Sequence, residues 1–321
     1  MVETILKVND LRKSYTSRGK VVDAVKGINL WVNRGEIFGF LGPNGAGKTT
    51  TLRMLATLLS PDSGAAVIAG YDLLRQPGKV RTRIGYVSQA GGSDRNASAW
   101  ENLIMQARLY GMRKVAARQR SEALINAFDL SGIADRKVQT YSGGQHRRLD
   151  VALGMVHTPD LLFLDEPTTG LDPQNRSRMW KEIRRLREEG VTIFLTTHYM
   201  DEADVLSDRI AIMDMGNIVA EGTPQELKKR ILGDTVVLGL GKDSMAMEKA
   251  TILLRQQSFV REVNHKNGGL YLLVRDGETV LPRILRLLDG ESIDLKTISL
   301  SQPTLDDVFL RETGHALQEA F

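Results

Sequence analysis

One stretch constrains this chain more than any other: Gly42-Pro43-Asn44-Gly45-Ala46-Gly47-Lys48-Thr49-Thr50. The apolar run Ile37-Phe38-Gly39-Phe40-Leu41 precedes it, and Leu52, Leu55, Ala56 and Leu59 follow at helical spacing. Strand, glycine-rich loop and helix, in that order, is the context in which G-x-x-x-x-G-K-[ST] binds phosphate. Glycines let the backbone close round a polyphosphate because no Cβ stands in the way. The loop N–H groups and the helix N-terminus supply positive partial charge. Lys48 is expected to reach the β- and γ-phosphates, and Thr49 to offer its hydroxyl to Mg²⁺.

A phosphate loop of this kind needs a second strand that carries a carboxylate for the metal. Leu161-Leu162-Phe163-Leu164-Asp165-Glu166 provides one. Its continuous apolar run reads as a parallel strand buried on both faces. Asp165 is expected at the metal, directly or through water. Glu166 is placed to polarise a water for attack on the γ-phosphate. With this pair the phosphate loop becomes a hydrolase site.

The rest of the composition narrows the class. The chain has 321 residues, enough for two domains or for one large domain and a smaller one. It has no cysteine, which excludes disulfides, thiolate metal sites and a cysteine nucleophile. The N-terminal stretch lacks the basic-then-apolar pattern of a secretory signal. No apolar run approaches the roughly 18 residues of a membrane span, so a second chain would supply any spans. The net charge of +4 is read as a solvated basic surface. Without an arginine-rich block or an aromatic-interleaved basic patch, no nucleic-acid partner is expected.

Alternating runs at 6–8, 21–25 and 28–32, with turns at Arg18-Gly19 and Arg34-Gly35, predict an antiparallel β layer before the loop. Ser60–Gly64 reads as a turn and Ile84–Gln89 as a short strand ending in a polar residue. Ser98-Ala99-Trp100-Glu101 has capping-box spacing, and a helix over 114–129 should turn Leu124, Ile125 and Phe128 inward. Arg113, Arg118 and Arg120 are read as a solvated face, and Trp31, Trp100 and Trp180 as packing residues. Asp172-Pro173 opens a helix that Gly190 ends. A buried strand over 191–196 and a hairpin about Gly216-Asn217 follow. Gly233-Asp234 is read as the domain boundary, which gives domains of 1–230 and 231–321. The second reads β-α-β-β-α-β, the split βαβ order.

Between the phosphate loop and Asp165 lies Tyr141-Ser142-Gly143-Gly144-Gln145, ahead of an apparent helix over 146–156. This resembles the signature sequence of ATP-binding-cassette (ABC) ATPases, with Tyr141 in place of the commoner leucine. Tyr15 matches the aromatic that stacks on adenine in that family, and Gln89 the glutamine that links nucleotide state to the partner domain. Asp172, in Leu171-Asp172-Pro173, matches the loop at the dimer interface. His198 matches the histidine at the γ-phosphate. The fold that this resemblance implies is α/β: a P-loop NTPase ABC cassette with a parallel-sheet core, an antiparallel β subdomain and a helical subdomain, followed here by a small α+β C-terminal domain. It implies two chains head to tail with two ATP between them. Each site would take Lys48, Thr49, Gln89, Asp165, Glu166 and His198 from one chain and Ser142, Gly144 and Gln145 from the other. Ser142 and its two glycines also form a second helix N-terminus suited to an anion. One chain does not easily aim two such sites at one phosphate, so a homodimer is the economical reading.

The ending Pro303-Thr304-Leu305-Asp306-Asp307-Val308-Phe309-Leu310 resembles that of the daunorubicin-resistance type of ABC subunit. From the residues alone, Pro303 is a stop and Leu305, Val308 and Phe309 lie on one face of a turn. The resemblance implies an ATPase chain, peripheral at the cytoplasmic face of the cell membrane, that powers a separate membrane-spanning permease exporting amphipathic drugs or lipids. Residues 90–98 depart from the leucine- and threonine-containing version common in that family. Two other classes are a soluble ABC ATPase acting on nucleic acid or ribosomes and a non-catalytic protein on the same fold. The first usually carries a coiled-coil insertion, zinc-binding cysteines or two cassettes, and none is seen. Intact Lys48, Ser142, Asp165, Glu166 and His198 oppose the second.

Overall fold

The computed structural model describes residues 3–17, 20–231, 233–240, 244–266 and 269–315. Two compact units divide the chain, one running to Pro224 and the other beginning at Gln225. The first is built on a six-stranded sheet in the order Asn217–Gly222, Arg209–Asp214, Ile37–Leu41, Thr192–Thr197, Leu161–Asp165, Ile84–Val87. All neighbours are parallel except the hairpin that pairs Asn217–Gly222 with Arg209–Asp214. The central strands Ile37–Leu41, Leu161–Asp165 and Thr192–Thr197 are buried along their whole length. That is why their sequences are apolar runs rather than alternations. Phe194 sits at the centre of this core, its ring centroid 5.3 Å from Phe38, 5.5 Å from Phe40 and 5.6 Å from Phe163. The parallel strands all end on one side, and there lie Gly42, Ser88, Glu166 and His198. In open parallel sheets, ligands bind at that carboxyl edge.

The expected antiparallel layer is present, in the order Lys20–Asn33, Thr4–Ser17, Ser63–Ile68, Tyr71–Asp72. Two details differ from expectation. The runs 21–25 and 28–32 belong to one strand, because Gly27 at φ +95 carries the backbone through an irregular register without breaking the pairing. A Cβ there would come within 2.4 Å of the Asp10 carboxylate. Ser63 and Gly64 begin a strand rather than close a turn. Gly64 lies against the Asp10 backbone at φ +93, a conformation only glycine adopts freely. The Arg18-Gly19 turn lies outside the described residues.

In the helical segment, the Ser98 hydroxyl accepts from Glu101 N–H at 3.2 Å and Glu101 accepts from Ser98 N–H at 2.7 Å, the expected capping box. Leu124, Ile125 and Phe128 are buried as expected. Arg113 and Arg118 are solvated, but Arg120 is half-buried. Its Nη2 donates to the Met155 carbonyl at 2.6 Å and its Nε to that of Val156 at 3.0 Å. These carbonyls follow the helix Gly143–Gly154, so Arg120 satisfies groups a helix end leaves open. Trp31 is not a packing residue of the interior. It is half-exposed, and the Arg209 guanidinium lies 4.5 Å above its ring.

The second unit has the β-α-β-β-α-β order. Its sheet is antiparallel throughout, in the order Val260–Lys266, Gly269–Val274, Asp234–Gly239, Thr297–Ser301. Helices Ser244–Arg255 and Gly277–Gly290 give it a core that includes Val236, Leu254, Leu272 and Ile284. Part of the expected turn over 266–269 lies outside the described residues. The tail forms a helix, Leu305–Thr313, capped reciprocally by Thr304 and Asp307, with Leu305, Val308 and Phe309 buried. Among the described residues, no helix is long and apolar enough to cross a membrane.

Phe194→Ala should remove about 3–5 kcal/mol of stability, since it empties the centre of the ring cluster. Urea unfolding of the full chain measures it. A loss below about 1 kcal/mol would mean that the cluster collapses around the gap.

Candidate nucleotide site

The loop after Ile37–Leu41 leads into the helix Lys48–Leu55 through Gly47, which sits at φ +108. Added carbon at Gly47 would come within 2.2 Å of the Ala24 carbonyl, and at Gly42 within 2.1 Å of the Met213 carbonyl. Both glycines are therefore required by their neighbours. Lys48 is nearly fully buried. Its Nζ donates to the carbonyls of Gly42 at 2.7 Å and Pro43 at 3.0 Å, and stands 3.6 Å from Glu166 Oε1. Burial lowers its pKa, and the charge of Glu166 opposes that shift.

Asp165 closes the neighbouring strand. Its Oδ1 accepts from Thr49 Oγ1 at 3.2 Å and from Thr196 Oγ1 at 2.7 Å. Glu166 follows at φ +46, a left-handed conformation rare for a side chain of its size. Its N–H is held by the carbonyl and hydroxyl oxygens of Thr196, each at 3.1 Å. Three groups meet its Oε2: Gln89 Nε2 at 3.1 Å, Thr169 Oγ1 at 3.1 Å and His198 Nδ1 at 3.3 Å. The histidine contact lacks hydrogen-bond geometry in this arrangement. Burial alone would raise the Glu166 pKa. The His198 imidazole, the Lys48 ammonium and the Thr169 hydroxyl outweigh it and hold the carboxyl below its usual range.

These groups share one cavity of about 510 Å³, lined among others by Asn44, Gly45, Gly47, Lys48, Thr49, Thr50, Gln89, Glu166 and His198. Tyr15 stands at its margin, with its hydroxyl 3.5 Å from Thr50 Oγ1 and its ring partly exposed. Ser142, Gly143, Gly144, Gln145 and Asp172 are not among the lining residues. Ser142 caps the helix Gly143–Gly154, accepting from Gln145 N–H at 3.3 Å, while Gln145 accepts from Ser142 N–H at 2.9 Å. Gly144 packs so closely on Asn175 that a Cβ would lie 2.4 Å from its side-chain oxygen. Asp172 caps Pro173–Glu188 by accepting from Asn175 N–H at 3.0 Å.

The donor set at Thr49 and Asp165, a hydroxyl and a carboxylate oxygen already adjacent, suits a hard cation such as Mg²⁺. Among the described residues, no group of three or more histidine or acidic side chains could enclose a metal. Such an ion would therefore complete its shell from phosphate and water.

Several residues matter here that motif reading passed over. Thr169 and Thr196 orient the two carboxylates, as the distances above show. Arg147 is buried and donates to the carbonyls of Ser88 at 2.6 Å, Pro167 at 2.8 Å and Asp165 at 2.9 Å. It thus pins the helix that follows Ser142 to the loops carrying Gln89 and Glu166. Asp150 accepts from the N–H groups of Gly92 and Ser93 at 3.1 and 3.2 Å, and pairs with His146 at 3.2 Å. The loop beyond Gln89 is thereby held to the same helix. The polar run Gln145-His146-Arg147-Arg148 is a signal, but no spacing rule says which of its members turns inward.

Comparison with known proteins agrees with this geometry. The ABC transporter family matches residues 25–169. The C-terminal domain of DrrA1-3-like ATP-binding proteins matches residues 222–313. The daunorubicin/doxorubicin resistance ATP-binding protein DrrA of Streptomyces peucetius is 45% identical over 91% of this chain and 88% of its own length. The doxorubicin resistance ATP-binding protein DrrA of Mycobacterium tuberculosis is 43% identical over 95% and 92%. The linearmycin resistance ATP-binding protein LnrL of Bacillus subtilis is 33% identical over 98% and 100%. Among solved structures, a dimeric post-hydrolysis ATP-binding cassette bound to ADP and phosphate is similar at a TM-score of 0.63, with 25% identity over 68% of this chain and 98% of that one. This chain is an ATPase, and it belongs to the ABC transporter ATP-binding subunits of the daunorubicin/doxorubicin resistance type.

Proposed function

We propose that this protein is the ATP-hydrolysing subunit of an exporter of amphipathic drugs or lipids. It would work as a homodimer, peripheral at the cytoplasmic face of the membrane, on a separate membrane-spanning permease. One observation carries the dimer: Lys48, Thr49, Gln89, Glu166 and His198 line one cavity, while the Ser142 helix start opens outside it. The export reading is supported by relatives whose names specify resistance to daunorubicin, doxorubicin and linearmycin, and by others named for Nod factor export.

In this reading residues 1–230 form the ATP-binding domain and 231–321 an accessory domain. The loop Gly42–Thr50 cradles the triphosphate through its backbone N–H groups, and Lys48 turns from the Gly42 and Pro43 carbonyls to the β- and γ-phosphates. Tyr15 stacks on the adenine. Glu166, kept ionised, orients the attacking water and draws on its proton. His198 and Gln89, both on Glu166 Oε2, hold the γ-phosphate end in register. Thr49, Asp165 and Gln89 would hold a magnesium ion, which when bound would offset charge on the β- and γ-phosphates. Ser142, Gly143, Gly144 and Gln145 of one chain complete the site of its partner, and Asp172 lies at the seam between them.

Glu166→Gln should keep ATP binding and lower turnover by about 10²–10⁴-fold, the range general-base loss commonly costs. It should also accumulate an ATP-bound dimer, detectable by size-exclusion chromatography. Wild-type turnover would refute the role. Lys48→Ala should weaken ATP binding itself in a direct titration, and undiminished affinity would count against the loop assignment. The pH profile has a definite sign. Glu166 is depressed on folding, so its ionised form is present above the ordinary value of 4.5 and is lost only as pH falls below it. A pH–kcat profile should therefore show no acid limb from Glu166 near neutrality. A limb there that vanished on replacing Glu166 but not His198 would contradict the depressed pKa.

A further inference from the structure

Glu202 is a buried carboxyl to which the steps above give no task. It lies on the short helix Met200–Leu206, just beyond His198, and is fully buried. Its Oε1 accepts from Thr168 Oγ1 at 2.8 Å and from Trp180 Nε1 at 3.0 Å. The Thr197 hydroxyl also faces the carboxyl, and among the described residues Oε2 has no hydrogen-bond partner. Each contact belongs to a segment with a group at the nucleotide or at the dimer seam. Thr168 lies between Glu166 and Thr169, and Thr169 itself donates to Glu166. Trp180 is on the helix that Asp172 caps. Thr197 precedes His198.

We propose that Glu202 is a positioning residue for ATP hydrolysis, its buried carboxyl locking the loop that carries Glu166 to the segment that carries His198. The inference rests on the roles of Glu166 and His198 given above. The two loops leave adjacent strands, Leu161–Asp165 and Thr192–Thr197, whose last register pair is Asp165 with Thr196. Backbone pairing between them ends with the Glu166 N–H on the Thr196 carbonyl. Beyond that edge, the Glu202 carboxyl joins Thr168 to the helix after His198, and so sets how closely His198 Nδ1 approaches Glu166. Through Trp180 the same oxygen reaches the helix behind Asp172. A movement of the dimer seam would then be felt at His198 through one side chain.

Chemistry favours a fixed acceptor over a charge. A carboxyl shut away from water, with one oxygen unpartnered, is cheapest in its neutral form. Burial pushes Glu202 up in that direction. The working atom is Oε1, which a glutamine amide oxygen would reproduce, whereas alanine would leave the Thr168 and Trp180 donors buried and unpaired.

Full-length Glu202→Ala should lower kcat by about 10²-fold, the cost of a displacement near 1 Å at reacting groups. KM for ATP should stay within about twofold, because the Gly42–Thr50 loop is untouched. Glu202→Gln should recover most of the lost kcat. Thr168→Val, which keeps the volume and deletes one donor, should give an intermediate loss of kcat at the same KM, and it decides the matter if Glu202→Ala does not fold. The proposal fails if folded Glu202→Ala turns over at the wild-type rate, if Glu202→Gln is as impaired as Glu202→Ala, or if Thr168→Val leaves kcat unchanged. Inactive Glu166→Gln beside active Glu202→Ala would overturn this inference alone. Turnover by Glu166→Gln would overturn the reading beneath it.

Discussion

A buried ammonium between two carbonyls and a carboxylate is the interaction on which the rest of this site depends. Lys48 has almost no contact with water. Its charge is tolerated because Gly42, Pro43 and Glu166 surround it. Such a buried pair contributes little net stability, since desolvation offsets much of the attraction. That near balance suits its use. A partner held at break-even can be exchanged for a phosphate without first losing a large favourable term. In the proposed mechanism the carbonyls hold the ammonium near the incoming phosphate, so little side-chain reorganisation would remain when it binds.

Strain lies close to this pair. Glu166 adopts a positive φ, a conformation that typically costs about 1–3 kcal/mol where a structure holds it. The clamp is Thr196, which takes the Glu166 N–H and also donates to Asp165. The sharp turn after Asp165 separates the roles of two adjacent carboxylates. Asp165 stays in the sheet beside Thr49, while Glu166 is thrown forward to meet Gln89, Thr169 and His198. Extended backbone would send the two side chains to opposite faces of the sheet.

Legibility in the sequence followed the range of each interaction. The phosphate loop, the Asp165-Glu166 strand end and the Ser98, Ser142 and Asp172 caps are local, and their residues name their own neighbours. The β-α-β-β-α-β unit was legible because each strand and helix carries its own periodicity. Contacts between segments far apart in sequence were not. Arg120 looked like one more solvated arginine, because nothing near it shows that the carbonyls of Met155 and Val156 lie beneath it. Trp31 looked like a packing residue, because hydrophobicity does not reveal that the ring is half-exposed beneath Arg209. The strand Ser63–Ile68 was missed for a different reason. Its first residues are turn formers, and Gly64 is there because a neighbouring backbone comes too close for any side chain.

The two helix starts explain why, in the proposed dimer, one chain would hold only part of its site. The first N–H groups of any helix lack intrahelical partners. At Lys48–Leu55 they open into the cavity that holds Lys48 and Glu166. At Gly143–Gly154 the cap satisfies Gln145 N–H and leaves the glycine N–H groups with no partner inside the helix. Gly144 cannot be repacked to cover them, because Asn175 already occupies the space a side chain would need. Arg147 prevents the helix from swinging freely, since its guanidinium is fastened to the backbone beside Gln89, Asp165 and Pro167. An anion-seeking helix end that is tied to the loops of Gln89 and Glu166, yet stands outside their cavity, suits an anion bound by another copy of the chain. The ties of Arg147 and Asp150 would then carry that contact back to the loop of Gln89. In the proposed dimer, binding at one interface and geometry at the hydrolytic carboxylate become one mechanical unit.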